Sequence, residues 1–228
     1  MRAALLIAAL ATLPVVAQEN EAERLSERAH QDREIVYFLQ APETHAFDLF
    51  HDYTESRPGI DAYYNVVRKG SSASNPKAWI LDTGQELTIE SVKGEALLKA
   101  GQDVGEPLEP DADVIVIRFP PVAKGGSVRL RISETYTDAG RYGLRGDELV
   151  WDRSFGRPRN AVVLPAGFYL TACSTPAAVS ETEDGRIRLD FENARNDEIA
   201  VLIKAKRRVT VTRRAERKRV RLRASSSP

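Results

Sequence analysis

The chain has 228 residues, 33 Lys/Arg against 33 Asp/Glu, three His and a single cysteine, Cys173. One cysteine excludes an intramolecular disulfide and a cysteine-rich zinc site, so the core must be held by burial alone, which a body of this size can manage. The zero net charge conceals a split. Residues 204–223 carry eleven Lys/Arg and one acid, Glu216, whereas residues 18–203 carry 21 Lys/Arg against 32 acids. An acidic body therefore bears a basic tail.

Residues 1–17 have the pattern of a secretory signal peptide: Met1-Arg2, an apolar run from Ala3 to Leu13, then small residues at 15–17. The run is shorter than the roughly 20 residues that span a bilayer. Export to the periplasm or the extracellular space is expected, with no transmembrane segment in the mature chain. Residues 18–33 are charged and nearly free of large apolar side chains, which predicts a tether without a face to dock.

From residue 34 the pattern changes to short β-type runs punctuated by turn residues. Ile35-Val36-Tyr37-Phe38-Leu39 is dense, and Phe47, Leu49 and Tyr53 alternate with Asp48 and Asp52. Runs follow at 63–67, 79–81, 87–89, 114–117, 128–132, 149–151, 161–164, 168–172, 187–191 and 199–203. Asp82-Thr83-Gly84, Gly125-Gly126, Gly146-Asp147 and Asp184-Gly185 supply the hairpin punctuation. Residues 95–100 form one helical turn closed by Gly101. The acidic, Pro-containing stretch 102–113 reads as an exposed loop between sheet units 34–92 and 113–206, with strand exchange between the units equally open. The expected fold is an all-β antiparallel sandwich, Ig-like or similar, over residues 34–203, followed by a disordered basic tail at 204–228.

Trp79-Ile80-Leu81-Asp82-Thr83-Gly84 is similar to the active-site loop of aspartic proteases, which requires a second carboxylate beside Asp82. No second Asp-Thr-Gly or Asp-Ser-Gly occurs, so only a symmetric dimer would serve, and a plain hairpin turn is the competing reading. His45 and His51, placed on one strand, would lie about 20 Å apart at roughly 3.3 Å per residue, too far to share a metal. No His-Glu-x-x-His, Gly-x-Ser-x-Gly or phosphate-binding glycine loop is present. Neither a metal nor a cofactor is expected. Cys173 reads as a half-buried apolar residue.

The stretch 151–160 packs Trp151, Phe155, Arg153, Arg157 and Arg159 between two apolar runs. Arginine forks beside aromatic faces suit carboxylates, phosphates or sugars. A loop at one end of the sandwich, carrying these five residues, is thus the expected binding site. The competing reading caps the sandwich with Trp151 and Phe155 and pairs Arg153 with a body acid such as Asp152. The tail at 204–228 would reach an envelope protein, an anionic polymer or anionic lipid, and chromosomal nucleic acid is not an expected partner of an exported chain.

Val114-Ile115-Val116-Ile117-Arg118-Phe119-Pro120-Pro121, then Gly125-Gly126-Ser127-Val128-Arg129-Leu130-Arg131-Ile132 and Thr135-Tyr136-Thr137, resembles the non-catalytic N-terminal β-domain of M1-type metallopeptidases. That family's zinc motif is missing, so no catalytic residue carries over. Residues 151–170 also resemble secreted bacterial β-sandwich proteins of uncharacterised activity. The resemblance implies a fold and a compartment. Together these readings predict a non-enzymatic exported binding module of the bacterial cell envelope. A dimeric aspartic-protease-like hydrolase using Asp82, and an accessory β-domain to a separate peptidase or transporter, are the alternatives.

Overall fold

The computed structural model describes residues 31–208. The expected leader at 1–17, nearly all of the expected tether and the residues beyond Arg208 lie outside the described residues. Fourteen strands are present among those described: β1 (Arg33–Leu39), β2 (Ala46–Glu55), β3 (Ala62–Val66), β4 (Ser72–Ile80), β5 (Thr88–Lys93), β6 (Asp113–Arg118), β7 (Val128–Thr137), β8 (Tyr142–Arg145), β9 (Glu148–Phe155), β10 (Arg159–Val163), β11 (Phe168–Cys173), β12 (Ala178–Glu181), β13 (Ile187–Glu192) and β14 (Ile199–Arg207). One short helix, α1 (Gly94–Lys99), follows β5.

The strands form three sheets. The widest has the order β12-β13-β10-β1-β2-β7-β4, a second β11-β14-β9-β8 and a third β3-β6-β5. One core cluster contains Phe47 and Leu130 from the wide sheet, Trp151 and Ile203 from the second, and Ile115 and Ile117 from the third. The molecule is thus an all-β sandwich with one wide layer faced by two narrower sheets side by side. The two proposed sheet units do exchange strands, since β1 and β2 pair with β10 and β7 while β3 and β5 flank β6. One pairing departs from the antiparallel expectation: β1 and β10 run parallel, from Glu34 opposite Arg159 to Phe38 opposite Val163. Their separation of well over a hundred residues removes the tight-turn constraint that forces neighbours to be antiparallel.

Burial follows the period of two. On β2, Phe47 and Tyr53 face inward; on β7, Leu130, Ile132 and Tyr136 do so. Strand β6 differs, with all four of Val114, Ile115, Val116 and Ile117 buried. Its Ile side chains join the main core, and its two Val join Ala62 and Leu97 in a smaller cluster beneath α1. Burial on both faces explains its unbroken apolar run.

Local structure departs from the sequence pattern at three places. The first half of β4, Ser72-Ala73-Ser74-Asn75-Pro76, has little β-propensity, yet it pairs with β7 as an edge strand. Asn75 takes a positive φ of 52°, and the register shifts between Ser74 and Lys77, so Pro76 sits in the irregularity an edge tolerates. His45 is not on the strand with His51. It ends a 3₁₀ turn (Pro42–Thr44) at φ 57°, and its Nδ1 lies 2.8 Å from the Tyr142 carbonyl. Gly143 is required beside it, because a Cβ there would stand 2.6 Å from that ring nitrogen. Finally, β14 continues to Arg207, so the sheet takes in the first residues of the basic segment. Lys204 pairs with Glu148, Lys206 with Asp147 and Arg207 with Glu43, surface contacts worth little individually.

The densest packing surrounds Phe47, which is fully buried against Tyr37, Tyr136, Tyr142 and Trp151. Phe47→Ala is expected to cost about 3–5 kcal/mol of stability, whereas Phe50→Ala, on the outer face at 38% exposure, should cost less than about 1 kcal/mol. Urea denaturation of the two variants beside wild type checks this contrast.

Candidate functional site

The residues of the stretch 151–160 do not form a loop. Strand β9 runs through Phe155 and β10 begins at Arg159, leaving only Gly156, Arg157 and Pro158 between them. Trp151, Arg153 and Phe155 alternate with Asp152 and Ser154 and all point into the sandwich. Trp151 and Phe155 are core residues that pack on Tyr37 at ring distances of 5.4 and 5.5 Å. Arg159 is exposed and pairs with Asp32 at 2.6 Å. Of the five arginine and aromatic residues, Arg153, Phe155 and Arg157 line the cavities of the sandwich seam.

Asp82 occupies an exposed hairpin rather than a cleft. Ile80 N donates to Gln85 O at 2.9 Å and Gly84 N to Ile80 O at 2.8 Å, with Gly84 at φ 71°. The Asp82 carboxylate is more than half exposed and faces Arg129 at 3.4 Å. The residue does turn chemistry there, and the protease reading of Asp82 gains no support. Cys173 is half-buried, its thiol donating to Thr175 O at 3.1 Å.

The cavities lie instead where the two narrow sheets part over the wide one. A cavity of about 510 Å³ is lined by Ile35 and Tyr37 of β1, Tyr63, Asn65 and Val66 of β3, Arg68, and Ser154 to Arg157 at the end of β9. A neighbouring one of about 570 Å³ adds Arg33, Arg57 and Arg118. A smaller one of about 140 Å³ reaches inward to His51, Glu134, Tyr136 and Arg153. Tyr63 and Arg157 line all three, so the three are one branched cleft.

Each inner polar group is held by long-range pairing. Glu134 lies inward on β7, two residues from Ile132 and Tyr136, and is 2% exposed. Both its oxygens accept from Asn65 Nδ2, at 2.9 and 2.8 Å, and the same amide reaches Tyr136 Oη at 3.2 Å. Burial pushes the Glu134 carboxyl up to about 7, with the Asn65 contact opposing. His51 is buried on β2, and burial, with Arg33 and Arg157 near, holds it well below 6.5 and neutral. Tyr63 stands against it, ring centroids 5.4 Å apart and Oη 3.4 Å from Nδ1. His51 Nε2 is buried with no hydrogen-bond partner among the described residues.

Arginines surround this floor. Arg153 is almost fully buried, 3.1 Å from Asp138, and its guanidinium lies 5.0 Å from the Phe47 ring centroid. Asp138 also accepts from Ser71 Oγ at 3.1 Å and Arg141 N at 3.2 Å. The partner is thus Asp138 rather than the adjacent Asp152. Arg33 was placed in the tether by its neighbours in sequence, but it opens β1, is buried and lies 3.9 Å over the Tyr53 ring. On the far side, the acidic loop is pinned against the cleft. Gly94 N donates to Ala112 O and Glu95 N to Pro110 O, both at 2.9 Å, and a Cβ on Gly94 would stand 2.1 Å from Glu109 O. Glu106, Glu109 and Asp111 thereby line the cleft mouth opposite Arg68 and Arg157. Among the described residues no group of three or more His, Cys, Asp or Glu is arranged to hold a metal ion, and no helix is long and apolar enough to cross a membrane.

No protein-family profile and no curated protein matches the chain. Among solved structures it is similar to an M1 zinc metallopeptidase from Deinococcus radiodurans, at 12% identity and a TM-score of 0.43 over 76% of this chain and 41% of that one. It is also similar to an aminopeptidase N family protein from Idiomarina loihiensis, at 10% identity and a TM-score of 0.42 over 75% and 29%. The chain spans less than half the length of either.

Glu134 gives a signed pH dependence. Its folded value exceeds the ordinary 4.5, so its contribution to stability is full below about 4.5 and is lost as pH rises through about 7. His51 has the opposite sign, its contribution being present above 6.5 and lost as pH falls below that. Glu134→Gln fixes the neutral state. Relative to wild type it should gain about 3 kcal/mol between about pH 4.5 and 8, read from denaturant midpoints at the two pH values.

Proposed function

We propose that the chain is an exported binding module whose ligand site is the cleft at the seam between the β3-β6-β5 and β11-β14-β9-β8 sheets. The observation that carries this reading is the collection of buried or half-buried polar side chains at the cleft floor, His51, Asn65, Glu134, Arg153 and Arg157, inside a cavity of small-molecule size. Burying such groups costs free energy that folding alone does not return. Clefts with a few convergent polar groups between packed elements are where small ligands bind. The leader pattern at residues 1–17 supports export, and the envelope is then where the ligand would be met.

Equilibrium dialysis against the low-molecular-weight fraction of an envelope extract, with mass spectrometry of retained compounds, tests the reading. Wild type is expected to retain compounds that are lost with Arg157→Ala and with Val66→Trp, which fills the cleft from β3. Retention of nothing, or of the same compounds by all three proteins, would overturn it.

A further inference from the structure

The inner branch and the outer branch of about 510 Å³ differ in charge, and that difference points to a chemical class. The inner branch holds Arg68, Arg153 and Arg157 against one acid, Glu134, whose carboxyl is half-protonated near neutrality. His51 also lines it, and its Nε2 is buried with no hydrogen-bond partner among the described residues. Where Nδ1 accepts from the Tyr63 hydroxyl, the ring proton of neutral His51 sits on Nε2 and that atom is a donor. Arginine forks and an imidazole N–H are all donors, and they converge on a space of about 140 Å³. That space suits a single carboxylate or phosphate group.

The outer branch of about 510 Å³ is richer in acids, with five of them against Arg68, Lys69 and Arg157. Its wall is the acidic loop, pinned by the hydrogen bonds of Gly94 and Glu95, and it presents Glu106 and Asp111. Asn160, which also lines it, has a buried Oδ1 with no hydrogen-bond partner among the described residues. An orphan acceptor and an acidic wall call for a ligand donor carrying positive charge. The same wall opposes extended polyanions, which would lay phosphate after phosphate along it.

We propose, resting on the cleft being the ligand site, that the ligand is a small zwitterion. Its anionic group sits against His51 Nε2, Arg68 and Arg157, and its ammonium group sits outward, at Asn160 Oδ1 and the acidic loop. The anion could be supplied by an amino-acid or peptide carboxylate or by a phosphate ester of an amino alcohol, and the chemistry recognised is the same in both cases.

Titrations followed by NMR of the full chain distinguish these sources. The probes are L-lysine, O-phosphoethanolamine, and cadaverine, which is lysine without its carboxylate. At least one of the first two is expected to shift the His51 and Tyr63 ring signals saturably, and cadaverine to bind at least about tenfold more weakly. Lysine alone acting would identify the carboxylate source, and O-phosphoethanolamine alone the phosphate source. Arg68→Gln, at a half-buried position away from the core, should weaken the active probe at least about tenfold, with Arg68→Lys recovering part of the loss. Cadaverine binding as tightly as lysine, or dialysis-retained cleft ligands that lack an anionic group, would overturn the zwitterion while leaving the cleft a binding site. No response at His51 or Tyr63 to either anionic probe would overturn the zwitterion too. Absence of any Arg157-dependent ligand in the dialysis experiment would overturn both readings.

Discussion

Seven strands of the wide layer must be covered by something, and two separate narrower sheets do it. At the seam between them, water can reach the inner face of the wide layer. A purely apolar lining would leave area exposed at about 25 cal/mol per Å², whereas a purely polar one would strand donors and acceptors at about 1–3 kcal/mol each. The chain resolves this with side chains that are apolar along the stem and polar at the tip, Tyr63, Tyr136 and His51, and with the guanidinium groups of Arg33 and Arg153 laid over aromatic rings. Away from the seam the inner face is conventional, with Leu130, Phe47 and Val162 fully buried.

Two acids at this seam meet different fates, and the difference is one of partners. Asp138 receives a guanidinium, a hydroxyl and a backbone N–H, so its charge is compensated where it is buried. Glu134 receives only the Asn65 amide and is left to hold its proton. A buried ion pair such as Arg153–Asp138 adds little net stability over a well-packed apolar substitute, but removing one member leaves an isolated charge, at about 3–5 kcal/mol. The pair is therefore better understood as fixing where the Arg153 guanidinium stands. The ion pairs on the outer face of the wide sheet, such as Arg131 with Asp52 and Arg188 with Asp190, are partly solvated and screened.

The strands with clean alternation were legible from sequence because a period of two declares which side chains are buried. The β2 and β7 runs are of this kind. The β6 run was legible as a strand, but its two-faced burial depends on α1, which is distant in space only until the chain folds. The first half of β4 was not legible, since an edge strand with Asn75 and Pro76 carries no apolar signal. The parallel pairing of β1 with β10 is set by packing and has no local signature. At the site, Arg153, Phe155 and Arg157 were within reach of sequence reasoning and the rest was not. Yet Leu149, Trp151, Arg153 and Phe155 occupy alternate positions, and extending the 149–151 run by the same period would have placed Arg153 inward and demanded a buried acid for it. That acid, Asp138, stands across the β8–β9 hairpin, and Tyr63, Asn65 and Glu134 come from still more distant strands. Their meeting is a property of sheet order.

The irregularity in β4 has a consequence for the molecule as a whole. This strand closes one side of the wide sheet, and a straight, fully extended strand there would offer a row of free backbone donors and acceptors to any passing chain. Asn75 in the left-handed conformation and Pro76 without an N–H interrupt that row at its middle. At the opposite side, β12 has only four residues, all exposed, ending in Glu181. Both margins of the layer are thus poor templates for strand addition, which guards a protein held together without disulfides against stacking into fibrils.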